Sequence, residues 1–190
     1  MEEIYSITVF GLRFFTYVFR PPYEFAQVRK HLDDLGARSL PLLTVVGVIM
    51  GLILALQSRP TLDRFGAGGF LPAMLALTIV REMGPVITAL ICAGKVGSGM
   101  GAELGSMMVT EQIDAMEVSS TNPMRFLVVT RVLAATLMIP LLVLYADALG
   151  ILGSWVGANI KGDVSFLLFF AQAFKPVSYT HLTLPTSDLV

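Results

Sequence analysis

Charge is what this sequence most lacks. Asp, Glu, Lys and Arg make up 14% of its 190 residues, 55% are hydrophobic, and mean hydropathy is +0.74. A typical soluble domain carries about 25% charged residues. The shortfall excludes a disordered chain and argues against a water-soluble enzyme. Thirteen basic and fourteen acidic residues leave a net charge of −1, so no global positive field draws nucleic acid. The one cysteine, Cys92, cannot close an intrachain disulfide and lies in an apolar run. The two histidines, His31 and His181, stand far apart with no ligand-like spacing, so no metal is expected. A phosphate-cradling loop is missing too. Lys95 follows Gly94, but Val96 occupies the Ser/Thr position that such a loop needs, and Gly97 to Gly101 lacks the dinucleotide-binding spacing. Neither a cofactor nor a catalytic residue is expected of this chain. What remains is an integral membrane protein.

Long apolar runs are present in its place. A membrane-crossing helix needs about 20 mostly apolar residues. Residues 40–57 form a first such run, uncharged from Leu40 to Leu56 and closed by Gln57-Ser58-Arg59-Pro60. Residues 70–94 form a second, broken only by Arg81 and Glu82 at its middle. Residues 132–158 form a third, interrupted by Asp147 and expected to bend at Pro140. A fourth segment, 164–177, meets Lys175-Pro176 too early to cross. Before these, residues 4–20 are rich in aromatics, with Ile7, Phe10, Phe14 and Val18 on one helical face. Arg13 sits near the middle of this stretch and Pro21-Pro22 ends it, which favours a helix lying in the membrane interface over a short span. Glu2-Glu3 stand where a signal peptide would be basic. The fold class predicted is all-α: a polytopic membrane protein with an interfacial N-terminal helix, three complete spans and an incomplete fourth.

Arg13, Arg20, Arg29, Lys30 and Arg38 precede the first span, against Arg59 and Arg64 in the loop after it. The positive-inside rule then places the N-terminus in the cytoplasm and residues 106–126 on the same side. Residues 1–177 read as one membrane domain. Residues 178–190 (SYTHLTLPTSDLV) are Ser- and Thr-rich, continue no apolar period, and read as a non-native tail set aside from functional reasoning.

The candidate site residues lie between 81 and 122. Charges near a bilayer centre are costly and usually face a cavity or a partner, which singles out Arg81 and Glu82. Two readings stand side by side: an ion pair with neighbouring helices, or the lining of a cavity for a charged headgroup. Glu103 and Asp147 are weaker candidates of the same kind, and Lys95 lies where its side chain can snorkel to the interface. Gly97, Gly101 and Gly105 recur every four residues, Gly47 and Gly51 make a second stripe, and Gly153 with Gly157 a third. Such stripes let helices approach closely in lipid, within one chain or between chains. Residues 110–122 read as a short polar helix. Ile113 and Met116 share its apolar face, and Glu111, Asp114 and Glu117 form an acidic stripe, with Gln112 between them. It is either a solvated loop helix or one that a partner groove grips.

The run REMGPVITALICAGKVGSGMGAELGSMMVTEQIDAMEV, followed by NPMRFLVVTRVLA and IPLL, resembles the MlaE/YrbE permease family. These are membrane subunits of bacterial ABC transporters that work with MCE-domain proteins. The resemblance implies an inner-membrane permease with an interfacial helix and five spans, so this chain would stop within the fourth. It implies two permease copies, a cytoplasmic ATPase, a periplasmic MCE-domain protein and a membrane lipid, phospholipid or a relative, as substrate. It also implies that Glu111, Gln112, Ile113, Asp114, Met116 and Glu117 belong to a coupling helix seated in the ATPase. Arg81 and Glu82 would flank the lipid cavity, and ATP would be hydrolysed by the partner rather than by this chain. The competing functional reading is half of an ion- or proton-coupled secondary transporter that uses Arg81 and Glu82 as a relay.

Overall fold

The computed structural model describes residues 2–18, 25–119, 122–160 and 165–179, and every element among them is helical. In chain order these are α1 (Glu2–Val18), α2 (Phe25–Arg64), a 3-10 turn (Gly68–Phe70), α3 (Leu71–Thr78), a π turn (Ile79–Met83) and α4 (Gly84–Val109). Then come α5 (Gln112–Val118), a second π turn (Met124–Val129), α6 (Thr130–Asn159) and α7 (Phe166–Tyr179). Three helical stretches are long and apolar enough to cross a membrane: Phe25–Arg64, Gly68–Val109 and Met124–Asn159. With 14 residues α7 is shorter than the roughly 20 a span requires. The all-α polytopic reading therefore stands, with three long helices where three spans were expected.

The boundaries differ from the sequence expectation, each for a physical reason. The helix that holds the first span runs from Phe25 to Arg64, far beyond 40–57, because Gly36 is packed against the Met138 side chain rather than ending the helix, and it carries Pro41 and Pro60 inside. The second span continues past residue 94 to Val109, since its glycines do not break a helix that packing and lipid support. The polar helix is shorter than 110–122. It covers Gln112–Val118, because Glu111 takes a left-handed conformation (φ 55°) that breaks the chain from α4. The end of the interfacial stretch at Pro21-Pro22 falls outside the described residues; of the tail expected over 178–190, the first two residues close α7 and residues 180–190 fall outside the described ones.

Contacts divide the chain into two compact units, residues 1–39 with 91–141, and residues 40–90 with 142–190. Where α2 meets α6 in the second unit, mostly small residues face inward and many large ones face outward. Along α2, Leu43, Gly47, Gly51 and Ala55 are buried, whereas Leu42, Val45, Ile49 and Ile53 are exposed. Along α6, Ala146, Gly150, Gly153 and Gly157 are buried while Leu141, Leu144, Leu152 and Val156 are exposed. Lipid solvates large apolar side chains as well as a protein interior does, so helix contact comes from close backbone packing at small residues. A Cβ at Gly47 would lie 3.2 Å from the carbonyl of Ala146, and one at Gly157 would lie 2.9 Å from the Ala55 Cβ. The Thr44 and Tyr145 hydroxyls share a hydrogen bond of 2.7 Å across this contact. Around it lies a core of Ala55, Leu71, Leu75, Ile79, Ile151, Ala158 and Phe169. Phe166 meets Trp155 edge-to-face at 5.2 Å, joining α7 to α6.

In the first unit, α1 packs on the second π turn, with the Arg125 guanidinium 5.7 Å from the Tyr17 ring centre. Asn122 caps the start of that turn by accepting from the backbone N–H of Met124 at 3.1 Å. Arg131, buried to 3% exposure, holds Glu103 of α4 at 2.7 Å and donates to the Leu127 carbonyl at 3.0 Å. Removing Glu103 would leave a buried guanidinium without its anion. We expect Glu103→Ala to cost about 1–3 kcal/mol, read as a lowered unfolding midpoint in detergent, the lower end reflecting the half-exposed carboxylate. The exposed Glu117→Ala should stay within about 0.5 kcal/mol.

Candidate functional site

Arg81 and Glu82 occupy the π turn between α3 and α4, and both are exposed. Pro85 explains the widened turn. It has no N–H to offer the Arg81 carbonyl, and its ring would press on that carbonyl in a regular helix. Taking in one extra residue relieves the clash, and the Gly84 N–H donates to Ile79, five residues back. Widened turns of this kind are frequent at functional sites because they re-aim side chains. No ion pair joins Arg81 and Glu82 to each other or to a neighbour among the described residues. Of the two readings left open, a structural pair with helices of this same chain therefore finds no partner here.

Behind the turn lies a buried polar position that was only weakly marked in the sequence. Asp147 is 6% exposed, and one carboxylate oxygen has no hydrogen-bond partner among the described residues. A Cβ at Gly84 would collide with that same carboxylate, so glycine is required where the π turn returns to α-helix. Thr88, one turn further along α4, is fully buried, and its hydroxyl is likewise unpartnered among the described residues.

The α5 residues take the arrangement their spacing implies. Glu111, Gln112, Asp114 and Glu117 are exposed, while Ile113 and Met116 are half-buried on the opposite face. Beside α5, Tyr5, Val9, Phe10 and Tyr17 of α1 join Glu117, Asn122, Pro123 and Met124 around a cavity of about 450 Å³. Acidic side chains thus project from a short helix anchored beneath by apolar ones.

The glycine stripes separate into two kinds. Gly47 and Gly51 meet α6 within the chain, whereas a Cβ at Gly97, Gly101 or Gly105 would have nothing within 4 Å. Lys95 does not snorkel freely, since its ammonium group donates to the Arg38 carbonyl. Arg131 was missed in the sequence, where it looks like an ordinary charge at a span's end. Its one signal was Glu103, an opposite charge in the glycine-rich stretch after the second apolar run. Among the described residues, no group of three His, Cys, Asp or Glu side chains could hold a metal ion.

Comparison with known proteins gives consistent results. The sequence profile of one family, Permease MlaE, matches residues 28–186. A probable ABC transporter permease protein of Rickettsia bellii is 35% identical over 174 residues, covering 92% of this chain and 67% of that protein. The intermembrane phospholipid transport system permease protein MlaE of Haemophilus influenzae is 38% identical over 144 residues, covering 72% of this chain and 55% of that protein. Protein TRIGALACTOSYLDIACYLGLYCEROL 1, chloroplastic, of Arabidopsis thaliana is 34% identical over 146 residues, covering 77% of this chain and 42% of that protein. The chain thus spans about two thirds of the Rickettsia protein and about half of the Haemophilus one.

Proposed function

The chain belongs to the MlaE permease family of multi-pass membrane proteins, and from that premise we propose that it is the permease subunit of a lipid-moving ABC transporter. It carries phospholipid or a related lipid between a bacterial inner membrane and the periplasm, with its N-terminus in the cytoplasm. A separate cytoplasmic ATPase drives it, a second permease copy completes it, and a periplasmic MCE-domain protein exchanges lipid with it. The observation that carries this reading is the exposed Arg81–Glu82 pair, set on a widened turn in a membrane-crossing helix without a charged partner in its own chain among the described residues. Two opposite charges side by side suit a headgroup bearing phosphate and, in zwitterionic lipids, an ammonium. Adjacent residues on a helix point in different directions, so the two charges can meet different parts of one headgroup rather than neutralise each other.

Force enters at α5. ATP-driven closure of the ATPase pushes on the exposed Glu111, Asp114 and Glu117 face, and the half-buried Ile113 and Met116 carry the push into the helices beneath. Glu111, being left-handed, lets α5 pivot against α4 rather than extend it. Tilting of the spans then narrows the cavity and expels lipid. The second copy packs where α4 exposes Gly97, Gly101 and Gly105, which nothing among the described residues covers.

Charge reversal tests the coupling role. Replacing Glu111, Asp114 and Glu117 together by Lys should weaken co-purification of the ATPase about tenfold or more, with membrane insertion unchanged. These side chains lie exposed, so their sign matters to a partner more than to folding. Unaltered ATPase capture would remove α5 from the mechanism.

A further inference from the structure

A second charged site lies in the first unit, whereas the π turn that carries Arg81 and Glu82 belongs to the second. Here α2 and α4 enclose a cavity of about 430 Å³, within the usual range of roughly 300–1,000 Å³ for small-molecule sites. Lys30, His31, Asp34 and Arg38 line it from α2, and Lys95 and Glu103 from α4. On α2 the lining residues 30, 34 and 38 repeat every four positions, so they share a face that ends just before the apolar run from Leu40. Gly99 of α4 adds a wall without a side chain, and a Cβ there would meet nothing within 4 Å among the described residues.

The charges in this cavity do not cancel. Asp34 is matched by Arg38 at 3.4 Å, and Glu103 by the buried Arg131 at 2.7 Å. Each carboxylate already has its guanidinium, which leaves the ammonium groups of Lys30 and Lys95 as two surplus positive charges in a chain whose net charge is −1. Lys95 uses one of its three protons on the Arg38 carbonyl and has two left to give. Arg38 offers its terminal nitrogens beyond the one bonded to Asp34. Lys30 forms no ion pair among the described residues. Several donors therefore converge on one cavity at the end of a membrane-crossing helix, while both carboxylates in it are already paired with a guanidinium. Basic pockets between helices at a membrane surface suit lipid phosphates, and a phosphate diester supplies the acceptor oxygens that these donors lack.

We propose that this cavity binds a phosphate monoanion, and that the source is the headgroup of an anionic glycerophospholipid in the adjoining leaflet. Gly99, bare on the cavity wall, leaves room for the glycerol beside the phosphate. On the orientation proposed above, this is the cytoplasmic leaflet, the one rich in anionic lipid. The site shares no residue with the lipid path proposed at Arg81 and Glu82, and its occupation needs neither the ATPase nor transport.

The test is binding to the purified chain in a neutral detergent, read as the rise in unfolding midpoint on titration with lipid. Dioleoylphosphatidylglycerol should raise the midpoint at concentrations roughly tenfold below those at which dioleoylphosphatidylcholine does, because choline's positive charge opposes the surplus. Lys30→Gln with Lys95→Gln should remove this preference, and Lys30→Arg with Lys95→Arg should keep it. Lys30→Gln alone, at a residue without an ion pair among the described ones, guards against misfolding and should weaken phosphatidylglycerol binding several-fold. Inorganic phosphate distinguishes the sources. Without effect at millimolar concentration, it supports the lipid; if it raises the midpoint and competes with phosphatidylglycerol, the phosphate site stands and its ligand is the free ion. Equal response to the two lipids, or an undiminished preference in the Lys30→Gln, Lys95→Gln variant, overturns the proposal. Since lipid transfer is not measured, failure here leaves the role of Arg81 and Glu82 untouched.

Discussion

Gly51→Leu is expected to abolish the folded chain. A Cβ at Gly51 would run into the Gly150 carbonyl group and approach the Ser154 nitrogen at 2.8 Å, all of it backbone of the facing helix. Backbone cannot rotate away as a side chain can, so α2 and α6 must separate to admit even a methyl group. Overpacking a close contact costs about 1–3 kcal/mol when side chains can give way, and more here because they cannot. Leucine also removes the short approach on which helix contact in lipid depends. Gly153→Leu should do the same from the other side, since its Cβ would strike the backbone of Val48. We expect both variants to lose the monodisperse peak in size-exclusion chromatography and the cooperative thermal transition. The contrasting variant is Gly97→Leu with Gly101→Leu, at positions where a Cβ meets nothing. It should keep the transition within about 0.5 kcal/mol and shift the chain from dimer toward monomer. A folded Gly51→Leu protein would refute the α2–α6 packing, and a dimeric Gly97→Leu, Gly101→Leu protein would move the second copy off this stripe.

That contrast also shows where sequence reading stops. All the glycine stripes have the same spacing, which reveals a face fit for close packing but not what fills it. Only the fold distinguishes Gly47 and Gly51, covered by α6, from Gly97, Gly101 and Gly105, which the chain leaves bare. The three long helices were legible because a span is set by length and hydropathy, quantities local to the sequence. Helix ends were less so. Glu111 is neither glycine nor asparagine, so nothing in its type announces the left-handed turn that shortens the polar helix to Gln112–Val118. Arg131 and Glu103 lie 28 positions apart, and their pairing depends on how α4 and α6 come together rather than on any local period. The π turn stands between these cases. Gly84-Pro85 was visible, and proline's missing N–H predicts some disturbance one turn earlier, but a kink and a widened turn answer the same clash.

The disturbance falls on the two charges that matter most to the proposed function. If Arg81 and Glu82 only held helices together, apolar residues of similar size could replace them with little loss, and sometimes with a gain. If they meet a lipid headgroup, the same replacement leaves the headgroup with no partner in a region poor in water, which no packing gain offsets. Both side chains are exposed and unpaired within the chain among the described residues, so removing them strips no internal ion pair. We therefore expect Arg81→Met with Glu82→Leu to leave expression, insertion, dimer formation and the thermal transition intact. Lipid transfer by the complex reconstituted with its ATPase should fall about a hundredfold or more, as two charge-assisted contacts of about 1.5–3 kcal/mol each are lost together. Single changes make a poorer test, because each leaves one charge still able to meet the headgroup. A milder pair, Arg81→Lys with Glu82→Gln, serves as the control if the apolar double variant unfolds: it keeps the size of both side chains and one charge, and should lower transfer by a smaller factor without loss of fold. Stimulation of the ATPase by the permease should survive in both variants, since α5 is unaltered, and this survival separates an ATP-driven lipid path from an ion relay. Transfer at the normal rate by a folded Arg81→Met, Glu82→Leu protein would take the lipid path away from these charges.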